Sequence, residues 1–152
     1  MKRQIGAEGA ASAGIHPAHP AAPVDMVPAG FIAPMLAGAR ARGIVDAYEM
    51  MALGTILLDE SGRVLHTSER AKSMMQGMIS IVSEHMVGAT AAANSVIEAL
   101  IARGLSGSEI KRESAVLESL QGKRLSLSAV PVPEAPELAV QLLKSVVVLS
   151  LE

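Results

Sequence analysis

The 152-residue chain contains no cysteine and no tryptophan, and it has one tyrosine and one phenylalanine. Without cysteine it can form no disulfide framework, no thiolate nucleophile and no cysteine-based zinc site. With 1% aromatic residues it lacks the rings on which single-stranded nucleic acids and quaternary ammonium groups stack. Its 13 basic residues are offset by 15 acidic ones, so no excess of positive charge is present for a phosphate backbone. We therefore expect no nucleic-acid binding.

Long apolar runs are also missing. Residues 7–22 contain Ile15 as their one large apolar side chain, which excludes the apolar core of a secretory signal. The apolar run 146–149 falls far short of the roughly 20 residues that a membrane-spanning helix needs. We therefore expect no membrane insertion and a cytoplasmic location.

Catalytic and metal-binding motifs are absent from the sequence. No glycine-rich phosphate loop is followed by Lys and Ser or Thr, and no G-x-S-x-G segment occurs. The adjacent Asp59 and Glu60 are better explained by a turn than by paired acid/base catalysis. His16 and His19 lie in a proline-rich segment without further ligands. The sequence predicts a non-enzymatic protein with no metal site and no cofactor.

Composition divides the chain into three parts. Residues 1–30 form a Pro/Ala-rich tail that we expect to be disordered, because it has too little large apolar surface to bury. Residues 31–53 are predicted to form a flanking amphipathic helix, with Ile44, Tyr48 and Met51 on one apolar stripe. Residues 54–152 form the predicted domain.

Within this domain, the pattern predicts strands at 55–59 and 63–67, joined by a turn at 60–62. Ser68 is the predicted N-cap of a short helix, and Gly77 and Gly88 are predicted to divide the following region into short helical pieces. A longer helix is expected from about residue 89 to 103, ending at Gly104 in a left-handed conformation. Three strands follow: a turn at Gly122 joins the first two, and the last covers 145–151. This order predicts an α+β fold, with a five-stranded antiparallel sheet and helices on one face.

Two segments carry a family resemblance. Residues 54–71 have the sequence GTILLDESGRVLHTSERA, and residues 119–127 have the sequence SLQGKRLSL. The first resembles the opening motif of PAS domains, with Ser68 where the family commonly has Asn, and the second resembles the hairpin of the family's last strands. The resemblance covers residues 54–152, about two thirds of the chain. It implies a PAS-like fold and a sensory or regulatory role.

PAS domains commonly bind ligands between the sheet and the helix that precedes its last three strands. Candidates for such a pocket are Met74, Met78, His85, Ile97, Ile101 and Leu127. Apart from His85 these side chains suit an aliphatic small molecule, whereas a flavin would lack aromatic partners. His85 is the one candidate for a haem ligand, and we do not expect haem. The methionines admit two interpretations, an adaptable apolar cavity or simple core packing.

Helices that flank PAS domains often dimerise, so Ile44, Tyr48 and Met51 are candidates for a homodimer or partner interface. The same stripe could instead pack on the chain's own sheet. The sequence ends with the last predicted strand, so we expect its signal to pass by contact. The resemblance implies a bacterial regulator that binds another protein, for example a histidine kinase, in a cell-cycle or motility circuit. The alternatives are a small-molecule or haem sensor, and the sensor half of a helix-turn-helix transcription regulator.

Overall fold

A computed structural model describes residues 29–106, 112–133 and 142–152 of the chain. The predicted tail therefore lies outside the described residues, apart from the two that begin the first helix. The elements are, in order, α1 (Ala29–Met50), β1 (Gly54–Leu58), β2 (Val64–Thr67), α2 (Glu69–Met75), β3 (Ile79–Val82), β4 (His85–Gly88), α3 (Ala91–Ser106), β5 (Glu113–Glu118), β6 (Arg124–Pro131) and β7 (Ser145–Leu151). None of the helices in these ranges is both long enough and apolar enough to cross a membrane.

Five strands form one antiparallel sheet in the order β2-β1-β7-β6-β5. β7 lies between β1 and β6, so it joins the two early strands to the two strands that precede it. Successive side chains of a strand lie on opposite faces of the sheet, so Leu125 and Leu127 of β6 belong to the core while Ser126 lies on the opposite face. The described residues thus form a mixed α+β fold with three helices and a five-stranded antiparallel sheet, as predicted in outline.

The main core lies between the sheet and helices α2 and α3. Its fully buried side chains include Ile56, Leu127 and Leu149 from the sheet and Ile97 from α3. α3 approaches β6 so closely at Gly104 that an added Cβ atom would lie 2.7 Å from the Cβ of Ala129. The prediction of Gly104 as a left-handed C-cap is therefore wrong: it lies inside α3, where a close contact with the sheet requires its missing side chain.

Helix α1 covers the other face of the sheet. Ile44, Val45 and Tyr48 pack against a second apolar cluster that includes Leu57 and Val146. The helices predicted within the domain, α2 and α3, lie on one face of the sheet as expected. The flanking helix α1 packs on the opposite face, which is one of the two arrangements left open for its apolar stripe. The apolar stripe of a helix can be buried against any apolar surface, and the sheet of the same chain provides one here.

The region between α2 and α3 was predicted to form short helices, and this prediction is wrong. It forms the hairpin β3–β4, in which Ile79 pairs with Gly88 and Val82 pairs with His85. The sequence Ile-Ser-Ile-Val at 79–82 is rich in β-branched residues, which favour strands. Ser83 and Glu84 have φ angles of 48° and 63°, the positive values that a tight two-residue hairpin turn requires.

Other local predictions are confirmed. Gly62 and Gly122 have φ angles of 77° and 78° and lie in the turns after β1 and β5. Ser68 is the N-cap of α2, where its buried Oγ accepts hydrogen bonds from the backbone N–H groups of Ala71 at 3.2 Å and Thr55 at 3.0 Å. One hydroxyl thus ties the start of α2 to the first strand.

Candidate functional site

The six predicted pocket residues occupy two different environments. Four of them pack in the main core: Met74 is 8% exposed, Met78 3%, and Ile97 and Leu127 0%. Met75 and Met86 belong to the same cluster. Methionine therefore fills the space between the sheet and α2, which is the core-packing interpretation of the methionine-rich stretch.

His85 and Ile101 lie instead on a surface groove of about 510 Å³. The groove runs between α3, strand β4 and the turn after β1, and we call it the α3 groove. Its apolar lining comes mainly from Met86, Ile101 and Leu105, and its polar lining from Ser61, His85, Asn94 and Glu98. The structure thus brings two predicted residues together in a groove that was not predicted from the sequence.

The turn after β1 forms one end of the α3 groove. An added Cβ atom at Gly62 would lie 3.0 Å from the Cγ2 atom of Ile101, so this turn rests directly on α3. Asp59 holds the turn through its Oδ1, which accepts hydrogen bonds from the backbone N–H groups of Ser61 at 2.8 Å and Arg63 at 2.9 Å, and from Ser61 Oγ at 2.7 Å. Desolvation raises the pKa of Asp59, but these hydrogen bonds and the charge of Arg63 outweigh it and hold the pKa below its ordinary value. The acidic pair at 59–60 is thus part of a turn.

The junction of β4 and α3 forms the polar side of the α3 groove. The backbone N–H of Gly88 donates to Asn94 Oδ1 at 3.1 Å, and Asn94 Nδ2 donates to Glu98 Oε1 at 2.7 Å. Since the N–H of Gly88 requires an acceptor, the amide oxygen of Asn94 faces it and the NH₂ group faces Glu98. Sequence analysis missed both side chains, although their spacing of four residues on a predicted helix could have indicated that they meet.

His85 is held by a hydrogen-bond contact within its own hairpin turn. Its Nδ1 lies 2.8 Å from the backbone oxygen of Ser83, within the hairpin turn. The turn is also bound to the sheet, since the N–H of Val64 donates to the oxygen of Glu84 at 2.6 Å and Arg63 forms an ion pair with Glu84 at 3.1 Å. The imidazole therefore projects from a hairpin that is anchored to the edge of the sheet.

The predicted interface residues also lie in two different environments. Ile44 and Tyr48 pack on the sheet of the same chain, whereas Met51 is 58% exposed in the turn that follows α1. The solvent side of α1 carries three further exposed apolar side chains: Met35 at 62%, Leu36 at 51% and Met50 at 89%. A smaller groove of about 350 Å³ lies beside α1 and is lined by Arg42, Asp46 and His66 among others.

In the ranges that the structure describes, no three His, Asp or Glu side chains are grouped to hold a metal ion. Comparison with models of known protein families and with curated proteins finds no match for this chain.

Proposed function

We propose that this protein is a PAS-type signalling module that acts, without catalysis, through contacts with other proteins. The five-stranded antiparallel sheet, built from two early and three late strands with α2 and α3 between them, fits the fold that the sequence resemblance implies. Ser68 supports the same proposal, because its hydroxyl forms two backbone hydrogen bonds at the end of the motif where the family commonly has Asn.

The observation that carries the proposal is the solvent side of α1. Met35, Ala39, Gly43 and Met50 lie four, four and seven residues apart, so they share one line along the helix. All four are exposed, and Leu36 and Ala47 lie next to this line and are exposed as well. We call these six residues the α1 contact face. The opposite side of α1 is already packed on the sheet, so α1 presents apolar side chains on a second side as well, where the exposed charges of Arg42 and Asp46 border them.

The small residues of the α1 contact face fit a close helix–helix contact. An added Cβ atom at Gly43 would meet no atom within 4 Å, so nothing in the described part of the chain requires glycine there. A glycine inside a helix costs about 1 kcal/mol relative to alanine. Small residues at a helix surface let the backbone of a second helix approach closely, and the flanking methionines adapt to an irregular partner surface. A second copy of α1, packed antiparallel, would place small residues opposite small residues.

The partners that this proposal implies are a second copy of the chain and a regulatory protein of a bacterial circuit. A histidine kinase is one candidate, with cell-cycle or motility control as the setting. The module would respond to its signal by changing which of these partners covers the α1 contact face.

The test is the mass of the full chain in solution, measured by light scattering after gel filtration over a range of concentrations. We expect a dimer for the wild type and a monomer for Ala39→Arg. Ala99→Arg is the matched control, because Ala99 is also an exposed alanine within a helix, on α3. The same mass for the wild type and Ala39→Arg, with both folded by circular dichroism, would contradict the proposed contact face.

A further inference from the structure

We propose that the α3 groove binds a small primary alkylamine in its ammonium form. This site is distinct from the α1 contact face, because α3 and α1 cover opposite faces of the sheet. The inference rests on three features of the groove: its size, its apolar floor, and two polar side chains, Glu98 and His85, that are each held by a hydrogen bond.

The size and floor of the groove suit an aliphatic chain. Its volume of about 510 Å³ lies within the range of roughly 300–1,000 Å³ that is usual for small-molecule sites. Met86 is buried, Ile101 is half-buried, and both also contact the main core, so this floor is rigid. Leu105 continues the apolar surface toward the end of α3. No aromatic ring lines the groove, so a flexible hydrocarbon fits it better than a flat ring does.

The first acceptor is Glu98. Its Oε1 receives a hydrogen bond from Asn94, whose own orientation is fixed by the N–H of Gly88. This chain of bonds starts at a rigid point, because an added Cβ atom at Gly88 would lie 2.5 Å from the backbone nitrogen of Asn94. Among the residues that the structure describes, neither lysine nor arginine lines the α3 groove, so no cation in this lining neutralises the negative charge of Glu98. A charged donor on a ligand would complement it.

The second acceptor is His85. A carbonyl oxygen can only accept a hydrogen bond, so the 2.8 Å contact with the oxygen of Ser83 requires a proton on Nδ1. In the neutral ring, Nε2 is then left as an acceptor. His85 and Glu98 both line the groove beside its apolar floor. An ammonium group supplies up to three donors, whereas a carboxylate supplies none and would meet like charge at Glu98.

The experiment is a titration of the isotopically labelled full chain, followed by amide chemical shifts, with hexylamine at neutral pH as the probe. Hexanoate and hexan-1-ol have the same chain and differ in the head group. We expect saturable shifts centred on the backbone amides of His85, Glu98 and Ile101 with hexylamine, weaker binding of hexan-1-ol, and none of hexanoate. Equal binding of hexanoate and hexylamine would overturn the proposal.

Two variants locate the site. Glu98→Gln removes the charge and is expected to weaken hexylamine binding about tenfold or more, because a hydrogen bond to a charged group is lost. Glu118→Gln makes the same change at an exposed glutamate of β5 and is expected to have no effect. Ala102→Phe places a ring in the groove from an exposed position of α3 and is expected to abolish binding. Unchanged affinity in Glu98→Gln or in Ala102→Phe, with the fold intact by circular dichroism, would refute the assignment.

The test is independent of the proposed dimer. Ala39→Arg alters the α1 contact face and leaves every residue of the α3 groove unchanged, so we expect it to bind hexylamine as the wild type does. The dimer is therefore tested with Ala39→Arg, whereas hexylamine binding is tested separately with Glu98→Gln and Ala102→Phe.

Discussion

Replacing glycine by alanine at Gly38 of α1 and at Gly104 of α3 is expected to change the free energy of unfolding in opposite directions. Gly38 of α1 is exposed, and an added Cβ atom there would meet no atom within 4 Å. Gly104 of α3 is buried, and its added Cβ atom would lie 2.7 Å from the Cβ of Ala129 and 3.5 Å from Ser145 Oγ. Gly38→Ala therefore changes helix propensity alone, whereas Gly104→Ala also forces α3 away from β6.

The magnitudes follow from these distances. Alanine in place of glycine inside a helix stabilises by up to about 1 kcal/mol, which is the change expected for Gly38→Ala. At Gly104 the same gain is opposed by overpacking, which costs about 1–3 kcal/mol. The cost lies toward the upper end, because Ala129 is anchored to a central strand and has no flexible side chain that could move aside. We therefore expect Gly104→Ala to lose about 1–2 kcal/mol of its free energy of unfolding.

The assay is urea unfolding followed by circular dichroism, with the slope of each transition compared as well as its midpoint. A third variant, Gly104→Ala with Ala129→Gly, moves the methyl group from β6 to α3. It is expected to be more stable than the sum of the single changes predicts, by about 1–2 kcal/mol. If Gly104→Ala stabilises as much as Gly38→Ala, or if the double variant is additive, the close approach of α3 to the sheet is refuted.

Further predictions concern single side chains. Ser68→Ala is expected to cost about 2 kcal/mol in urea unfolding, because the N–H groups of Thr55 and Ala71 lose their shared acceptor in a buried place, whereas Ser73→Ala on the exposed side of α2 is expected to be near neutral. The pKa of Asp59 is lowered from 3.8, so its ionised form favours the folded state. This contribution to stability is complete above the ordinary pKa and is lost as the pH falls through the lowered pKa. Asp59→Asn is therefore expected to show a shallower fall in thermal midpoint below about pH 4. Met78→Leu is expected to cost less than about 1.5 kcal/mol because volume is conserved in the core, and a larger loss would contradict the packing role.

The parts of the fold that sequence analysis predicted well are those whose signals are local. The run 55–58, the turn at Gly62 and the N-cap Ser68 form one continuous segment, in which each residue type favours the conformation it adopts. The strand 145–151 is an apolar run that is mostly buried, and its pattern alone predicted a buried last strand.

The hairpin β3–β4 shows why other predictions failed. Its strands have four residues each, and several of their side chains are exposed, so periodicity carries little information. The hairpin is held instead by contacts between residues distant in sequence, such as the bond between Val64 and Glu84. The same holds for Gly104, whose role depends on a strand 25 positions later in the chain, at Ala129.

The sequence by itself therefore determined the α+β class, the strands on each side of the helical region, and an interior made of aliphatic and methionine side chains, since these follow from composition and short-range pattern. The tertiary structure decided which surface covers Ile44 and Tyr48, because an apolar stripe is satisfied by any apolar partner and only the packed sheet selects one. It also decided that His85, Glu98 and Ile101 line one groove. A turn, a hairpin and a helix must be packed together before these residues become neighbours, and no local rule encodes that packing.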